Sequence, residues 1–245
     1  MQRYFVGKEQ FSDKQVIITG DDVYHLSRVL RAKAGEKIIC SNGDGLDLLT
    51  EIAAVEPQRI ICNIISEIKE TREPKTKITL VQALPKADKM DLIIQKGTEI
   101  GVSLFFPFIS ERTVIKLDEK KEQKRLERWR KIAKEAAEQS HRSKIPEIMP
   151  IVKFNDLIQY ITGKTSLTAY EQENNLTLFQ VLNNYSDLKE LILVIGPEGG
   201  FTEQEISKLK SNGSLSVSLG KRILRTETAG LVGAANILYH LEQGN

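Results

Sequence analysis

The apolar pattern of the chain changes character near residue 72, and that change limits the possible folds more than any other feature. Upstream, apolar residues come in short runs, Val16-Ile17-Ile18, Lys37-Ile38-Ile39-Cys40 and Ile60 to Ile65, separated by turn material such as Ser41-Asn42-Gly43-Asp44-Gly45. Short β-branched runs punctuated by Gly, Asn and Asp read as a small β domain. Downstream, strand and helix patterns trade places. Strands are predicted at 78–84, 104–109, 166–170, 191–195 and 215–219, and helices at 88–100, 122–140, 202–210 and 226–242. Such alternation implies a mainly parallel sheet covered by helices on both faces, an α/β architecture. Between the two patterns, residues 67–77 hold a proline and a single isoleucine among polar residues, the composition of a linker. The expected domains are therefore 1–72 and 73–245.

One helical interruption is expected in the β domain, from Asp22 to Arg31. Regular helical spacing turns Tyr24, Leu26 and Leu30 toward a core and puts His25, Arg28 and Arg31 on one face. Charge is also local. Residues 116–144 hold eleven Lys or Arg against six Asp or Glu, whereas residues 1–72 hold ten against eleven. A basic cluster of that kind suits phosphate binding or a solvated face equally. No apolar run has the length of a membrane span and the N-terminus lacks a signal-peptide pattern, so a cytoplasmic protein without a membrane partner is expected. Cys40 and Cys62 match no metal or redox spacing and read as free thiols used for packing.

Two stretches in the C-terminal third concentrate polar and glycine residues. Strand 191–195 empties into Gly196-Pro197-Glu198-Gly199-Gly200-Phe201, followed by Thr202-Glu203-Gln204-Glu205, a capping box that starts a helix. Strand 215–219 empties into Gly220-Lys221-Arg222-Ile223-Leu224-Arg225-Thr226-Glu227-Thr228. Both are strand-to-helix turns, where open α/β sheets place ligands. Neither carries G-x-G-x-x-G or G-K-[ST], so dinucleotide and P-loop sites are excluded. A tight connection without a ligand remains open for each. Arg225 and Glu227 either pair with each other or act as an oxyanion stabiliser and a binding carboxylate. His141 and His240 have no spacing that marks a metal site or a catalytic base.

Together these two motifs closely resemble those of the RsmE family, bacterial ribosomal RNA uracil-N3 methyltransferases of the SPOUT class. Further matching blocks are Arg3-Tyr4-Phe5, His25 to Arg31, Lys86 to Gly101 and Glu135 to Arg142, so the resemblance covers nearly the whole chain. It implies a PUA-like β-barrel followed by an α/β SPOUT domain whose chain is tied in a deep C-terminal trefoil knot, although physics alone would draw an ordinary doubly wound sheet. The implied cofactor is S-adenosylmethionine, with no metal. It would be held by Ala169, Tyr170 and Glu171, by Gly196, Pro197, Glu198, Gly199 and Gly200, and by Leu219, Gly220, Ile223, Leu224, Arg225, Thr226 and Thr228. Arg225 and Glu227 are the implied catalytic residues. The implied partners are 16S ribosomal RNA within the small ribosomal subunit and a second copy of the chain. Arg3, His25, Arg28, Arg31, Lys86, Lys89, Lys96, Arg112 and Arg142 are the expected RNA contacts. Two rivals are kept: a SPOUT enzyme with another RNA target, and a catalytically silent RNA-binding protein.

Overall fold

A computed structural model describes residues 1–113 and 119–242. The chain forms two compact units, one of residues 1–73 with 137–145 and one of residues 74–136 with 146–245. The first contains β1 (Arg3–Phe5), β2 (Gln15–Thr19), α1 (Asp21–Tyr24), β3 (Lys37–Ser41), β4 (Asp47–Val55) and β5 (Arg59–Glu67). Its five strands form one sheet in the order β1-β3-β4-β5-β2. Alternation decides what is buried: Val16 and Ile18, Ile38 and Cys40, Leu48 and Ile52, and Ile60 and Cys62 all enter one core. Two irregularities in the β4–β5 pairing bend that sheet. Both cysteines are free and buried.

The helical interruption departs from expectation. After α1 the backbone widens into a π-helical turn over His25–Val29, closed by the Leu30 amide donating to the His25 carbonyl at 3.0 Å. A turn with one extra residue breaks the spacing on which the predicted face rested. Val23 and Leu26 are buried, while Tyr24 and Leu30 stand exposed.

Residues 137–145 join the first unit through buried polar bonds that no local pattern announces. Arg3 Nη1 lies 2.6 Å from Asp47 Oδ1, and Ser143 Oγ donates to Asp47 Oδ2 at 2.6 Å. Arg142 Nη2 lies 2.6 Å from Glu73 Oε2, whose other oxygen accepts from the Ser143 and Lys144 amides. Glu138 accepts from the Phe5 amide at 3.0 Å. Arg3 and Arg142 are therefore buried, 5% and 4% exposed, and bound to carboxylates. The burial of these two argues against their gripping RNA: each guanidinium already neutralises an acid, Asp47 buried and Glu73 half-buried.

The second unit holds β6 (Lys77–Ala83), α2 (Lys89–Ile100), β7 (Leu104–Ile109), α3 (Glu119–Gln139, whose last turn belongs to the first unit), β8 (Glu147–Ile148), β9 (Val152–Lys153), α4 (Phe154–Ile161), β10 (Ser166–Ala169), α5 (Leu178–Leu182), β11 (Glu190–Ile195), α6 (Glu203–Ser211), β12 (Leu215–Val217) and α7 (Thr226–Glu242). Its sheet runs β12-β10-β11-β6-β7-β8, with β9 also on β7, and every pairing is parallel. Val81, Ala83, Ile192 and Val194 face a core shared with Leu157 and Ile161 of α4 and Ile206 and Leu209 of α6. On the other face, α7 lies on β6 and β11 and beside α2. The buried face of α7 is Gly230, Gly233, Ala234, Ile237 and Leu238. A Cβ at Gly233 would stand 2.7 Å from Leu193, so the small residues set the depth of packing. Among the described residues no helix is long and apolar enough to cross a membrane.

Asp47→Ala would leave the Arg3 guanidinium buried without its carboxylate. The expected cost is about 3–5 kcal/mol in urea denaturation followed by far-UV circular dichroism.

Candidate active site

Three neighbouring strands, β12, β10 and β11, end on the same side of the sheet, and a cavity of about 480 Å³ opens at their carboxyl ends. Ala169-Tyr170-Glu171 follow β10, Gly196 to Gly200 follow β11, and Ser218 to Thr226 follow β12; all line the cavity. Parallel strands emptying side by side make such a crevice without further construction. Gly200 has φ of +70°, and a Cβ there would meet Glu171 Oε1 at 2.5 Å. Gly220 also adopts a left-handed φ, +116°, at the entrance to the second loop. Gly199 differs: its φ is ordinary, and an added Cβ would only touch the Arg112 side chain at 3.5 Å. Tyr170, at the cavity wall, has its phenol pushed above the usual range by burial and by the nearby Glu171 carboxylate.

Beneath the wall a short hydrogen-bond chain joins three elements. Gln82, fully buried on β6, donates through Nε2 to Thr226 Oγ1 at 2.8 Å, and Thr226 Oγ1 donates to the Gly196 carbonyl at 2.6 Å. The start of α7 is thereby fastened to the first residue after β11. Sequence reasoning passes over Gln82, whose only signal is an amide inside an apolar strand. Ile195, Ser218, Lys221, Arg222 and Ala229 also line the cavity and were not expected there.

The expected catalytic pair divides. Arg225 is exposed and lines the cavity. Glu227 does not line it, nor does Thr228. In the first turn of α7 a helix turns successive side chains by about 100°, so the residue after a lining position points elsewhere. Glu227 is buried, with Oε2 3.2 Å from Lys89 Nζ. The same ammonium lies 3.2 Å from Glu198 Oε1, which also accepts from the Lys86 amide at 3.0 Å. Hydrogen bonding to Glu198 and to Glu227, together with their charges, outweighs burial and raises the Lys89 ammonium above its ordinary range. Partial burial pushes the Glu198 carboxyl up, but the backbone bonds and Lys89 outweigh it and hold the group below its usual value.

The chain was compared with known proteins. A model of the RNA methyltransferase domain matches residues 71–238, and one of the RNA methyltransferase PUA domain matches residues 18–65. The ribosomal RNA small subunit methyltransferase E of Bacillus subtilis is 40% identical over 99% of this chain and 98% of its own length. The chain belongs to the RsmE family. A solved relative of the same name from Neisseria gonorrhoeae, bound to S-adenosylmethionine, is 32% identical with a TM-score of 0.89, covering 98% of this chain and 97% of its own. A Legionella pneumophila protein solved with the same cofactor is 30% identical with a TM-score of 0.86, covering 97% and 96%.

For an RsmE-family chain, the placement of the remaining basic candidates is informative. Lys86, Lys89 and Arg112 gather around the glycine loop, Arg112 Nη1 donating to the Gly199 carbonyl at 2.7 Å. Lys96 is paired with Glu99 on its own helix. In the first unit His25, Arg28 and Arg31 are exposed, and His25 Nδ1 is 2.9 Å from the Tyr4 hydroxyl. Burial raises that phenol's pKa, so it stays protonated.

Thr226→Val keeps the shape and removes the hydroxyl between Gln82 and Gly196. A loss of about 1–3 kcal/mol is expected in chemical denaturation. Gln82→Leu with Thr226→Val should cost less than the sum of the single changes, a coupling read from a double-mutant cycle.

Proposed function

We propose that this protein transfers the methyl group of S-adenosylmethionine to N3 of one specific uridine in the 16S ribosomal RNA of the small ribosomal subunit. The observation that carries this reading is the cavity at the ends of β10, β11 and β12, built from the same two loops that carry the family's motifs. Its volume and mixed lining suit a bent nucleoside with a polar tail. Pro197, Leu219, Ile223, Leu224 and Ala229 offer apolar surface to an adenine ring, and the glycine backbone brings amides and carbonyls within reach of the polar atoms. The cofactor supplies an electrophilic methyl on a sulfonium.

The residues of the chain supply geometry and charge. Holding a nucleophile in line with a fixed methyl can account for about 7–11 kcal/mol of barrier lowering. Loss of the N3 proton spreads negative charge over the uracil oxygens, and the Arg225 guanidinium, with several donors at the cavity edge, suits that charge. Glu227, the second catalytic residue of this reading, comes two residues later, beside Lys89. Exposed His25, Arg28 and Arg31 on the first unit, with Lys86, Lys89 and Arg112 on the second, are the RNA-gripping set. Lys96 belongs to it more weakly, since its ammonium already has Glu99. The reading also carries a cytoplasmic homodimer and a knotted C-terminal chain. Supporting the knot, the chain leaves the sheet-edge strand β12 and returns through the second loop to lay α7 over central β6 and β11.

Gly200→Val should abolish binding of S-adenosylmethionine in calorimetry while the protein stays folded, whereas Gly199→Ala should bind within a few-fold of the wild type; equal effects would contradict the pocket. Arg225→Ala should lower single-turnover methylation by roughly 10²–10³-fold. The decisive assay incubates labelled cofactor with small subunits lacking the modification and locates the methyl by nuclease mapping and mass spectrometry. A methyl on ribose, or on another RNA, would overturn the reading.

A further inference from the structure

A loop that meets its ligand through backbone groups has to be held in shape from elsewhere. Gly199 and Gly200 give the loop after β11 wide conformational freedom, and that freedom is lost when a ligand binds. Two holds are present. Arg112 Nη1 donates to the Gly199 carbonyl at 2.7 Å. The other comes from the turn between β6 and α2, where the Lys86 amide and the Lys89 ammonium meet the same oxygen, Glu198 Oε1, at 3.0 and 3.2 Å. Between these two donors Ala87 adopts a left-handed φ of +53°, a conformation that a residue with a Cβ keeps only where its surroundings impose it. Backbone strain of this kind collects at functional sites.

Lys89 reaches further than the glycine loop. Its ammonium also lies 3.2 Å from Oε2 of buried Glu227, in the first turn of α7 and directly after the second loop. Of the three residues only Glu198 lines the cavity, so Lys89 acts from outside the lining and touches the ends of both loops that form it. An ammonium, with three donors on a compact charge, can serve two carboxylates at once.

We propose that Lys89 is a positioning residue for the cofactor pocket: by pairing with Glu198 and Glu227 together, it holds the glycine loop and the head of α7 at the separation that S-adenosylmethionine requires. The inference rests on the cofactor part of the reading above and goes beyond the RNA contact which that reading gives Lys89. Each carboxylate oxygen is 3.2 Å from the same nitrogen, so the two stand at most twice that distance apart. Without the ammonium they repel, and the loops that carry them are pushed apart. The pocket would then be competent for only part of the time, and apparent affinity falls by that fraction. Saturating cofactor restores the competent arrangement, so the transfer step keeps its rate. The Lys89 and Glu198 side chains are about one-third exposed, 32% and 30%, so solvent screens the pair and keeps the effect moderate.

The test measures S-adenosylmethionine binding by calorimetry on the protein without RNA, with thermal melting in parallel. Lys89→Met should raise Kd by roughly 5–50-fold, and Lys89→Arg should recover most of that loss. Adding Glu227→Gln to Lys89→Met removes the repulsion without altering a lining residue, so the double variant should bind the cofactor more tightly than Lys89→Met alone. On unmethylated small subunits, Lys89→Met should raise KM for the cofactor and leave kcat at saturating cofactor within a few-fold of the wild type. The proposal is overturned if Lys89→Met binds the cofactor as the wild type does, if its loss follows melting, or if kcat falls as far as affinity. It is equally overturned if Lys89→Arg or the added Glu227→Gln brings no recovery, or if only the affinity for small subunits drops, the behaviour of a phosphate contact. Failure of the uridine-N3 reading is distinguishable: the calorimetry contains no RNA and is indifferent to the atom methylated, whereas the wild type would then leave no methyl on N3.

Discussion

The active site depends on how closely α7 can lie on the central strands of the second unit. Gly230 and Gly233 face Leu80, Gln82 and Leu193 at distances that leave no room for a Cβ without displacement. That approach brings Thr226 at the head of the helix within 2.8 Å of the buried Gln82 amide and 2.6 Å of the Gly196 carbonyl. One hydroxyl thus registers three elements and fixes the ends of the loops on either side. A bulkier residue on this face of α7 would lift the helix and separate the two loops that form the cavity.

Charge is used in two different ways. In the first unit, Arg3 with Asp47, Ser143 with Asp47 and Arg142 with Glu73 tie the segment 137–145 to the β sheet. Such pairs are costly to desolvate, and their worth lies in fixing one arrangement of distant segments, since losing either partner strands the other. Beside the cavity the stoichiometry is unequal: Lys89 has two carboxylates, and Arg225 stands at the rim of the pocket. Buried pairs fix distant segments of the chain, while one ammonium shared between two carboxylates joins the glycine loop to the head of α7 beside an opening.

Particular residues show where sequence reading succeeds and where it stops. Strand–helix alternation after residue 77 is local periodicity, and the parallel sheet follows from it. The glycine loop announces itself because few residues adopt the φ of +70° found at Gly200. By contrast, Tyr24 and Leu30 are exposed because a π-helical turn adds a residue that no spacing rule anticipates. The buried face of α7 mixes Gly230, Gly233 and Ala234 with Ile237 and Leu238, because the turns of a helix pressed closest to a sheet leave no room for a side chain. Arg3 and Arg142 look like surface cations in the sequence and are buried with partners 44 and 69 residues away.

The amino-acid sequence by itself determined the fold class and the family, because periodicity, turn chemistry and the paired loop motifs are properties of neighbouring residues. Tertiary structure alone decided which charges are buried, that Gln82 anchors Thr226, that Glu227 turns away from the cavity, and that Lys89 joins Glu198 to Glu227. The physical reason is the range of the interactions. Backbone propensity and helical spacing act over a few residues, whereas desolvated ion pairs and buried hydrogen bonds are set by whichever distant segments the packed core brings within about 3 Å.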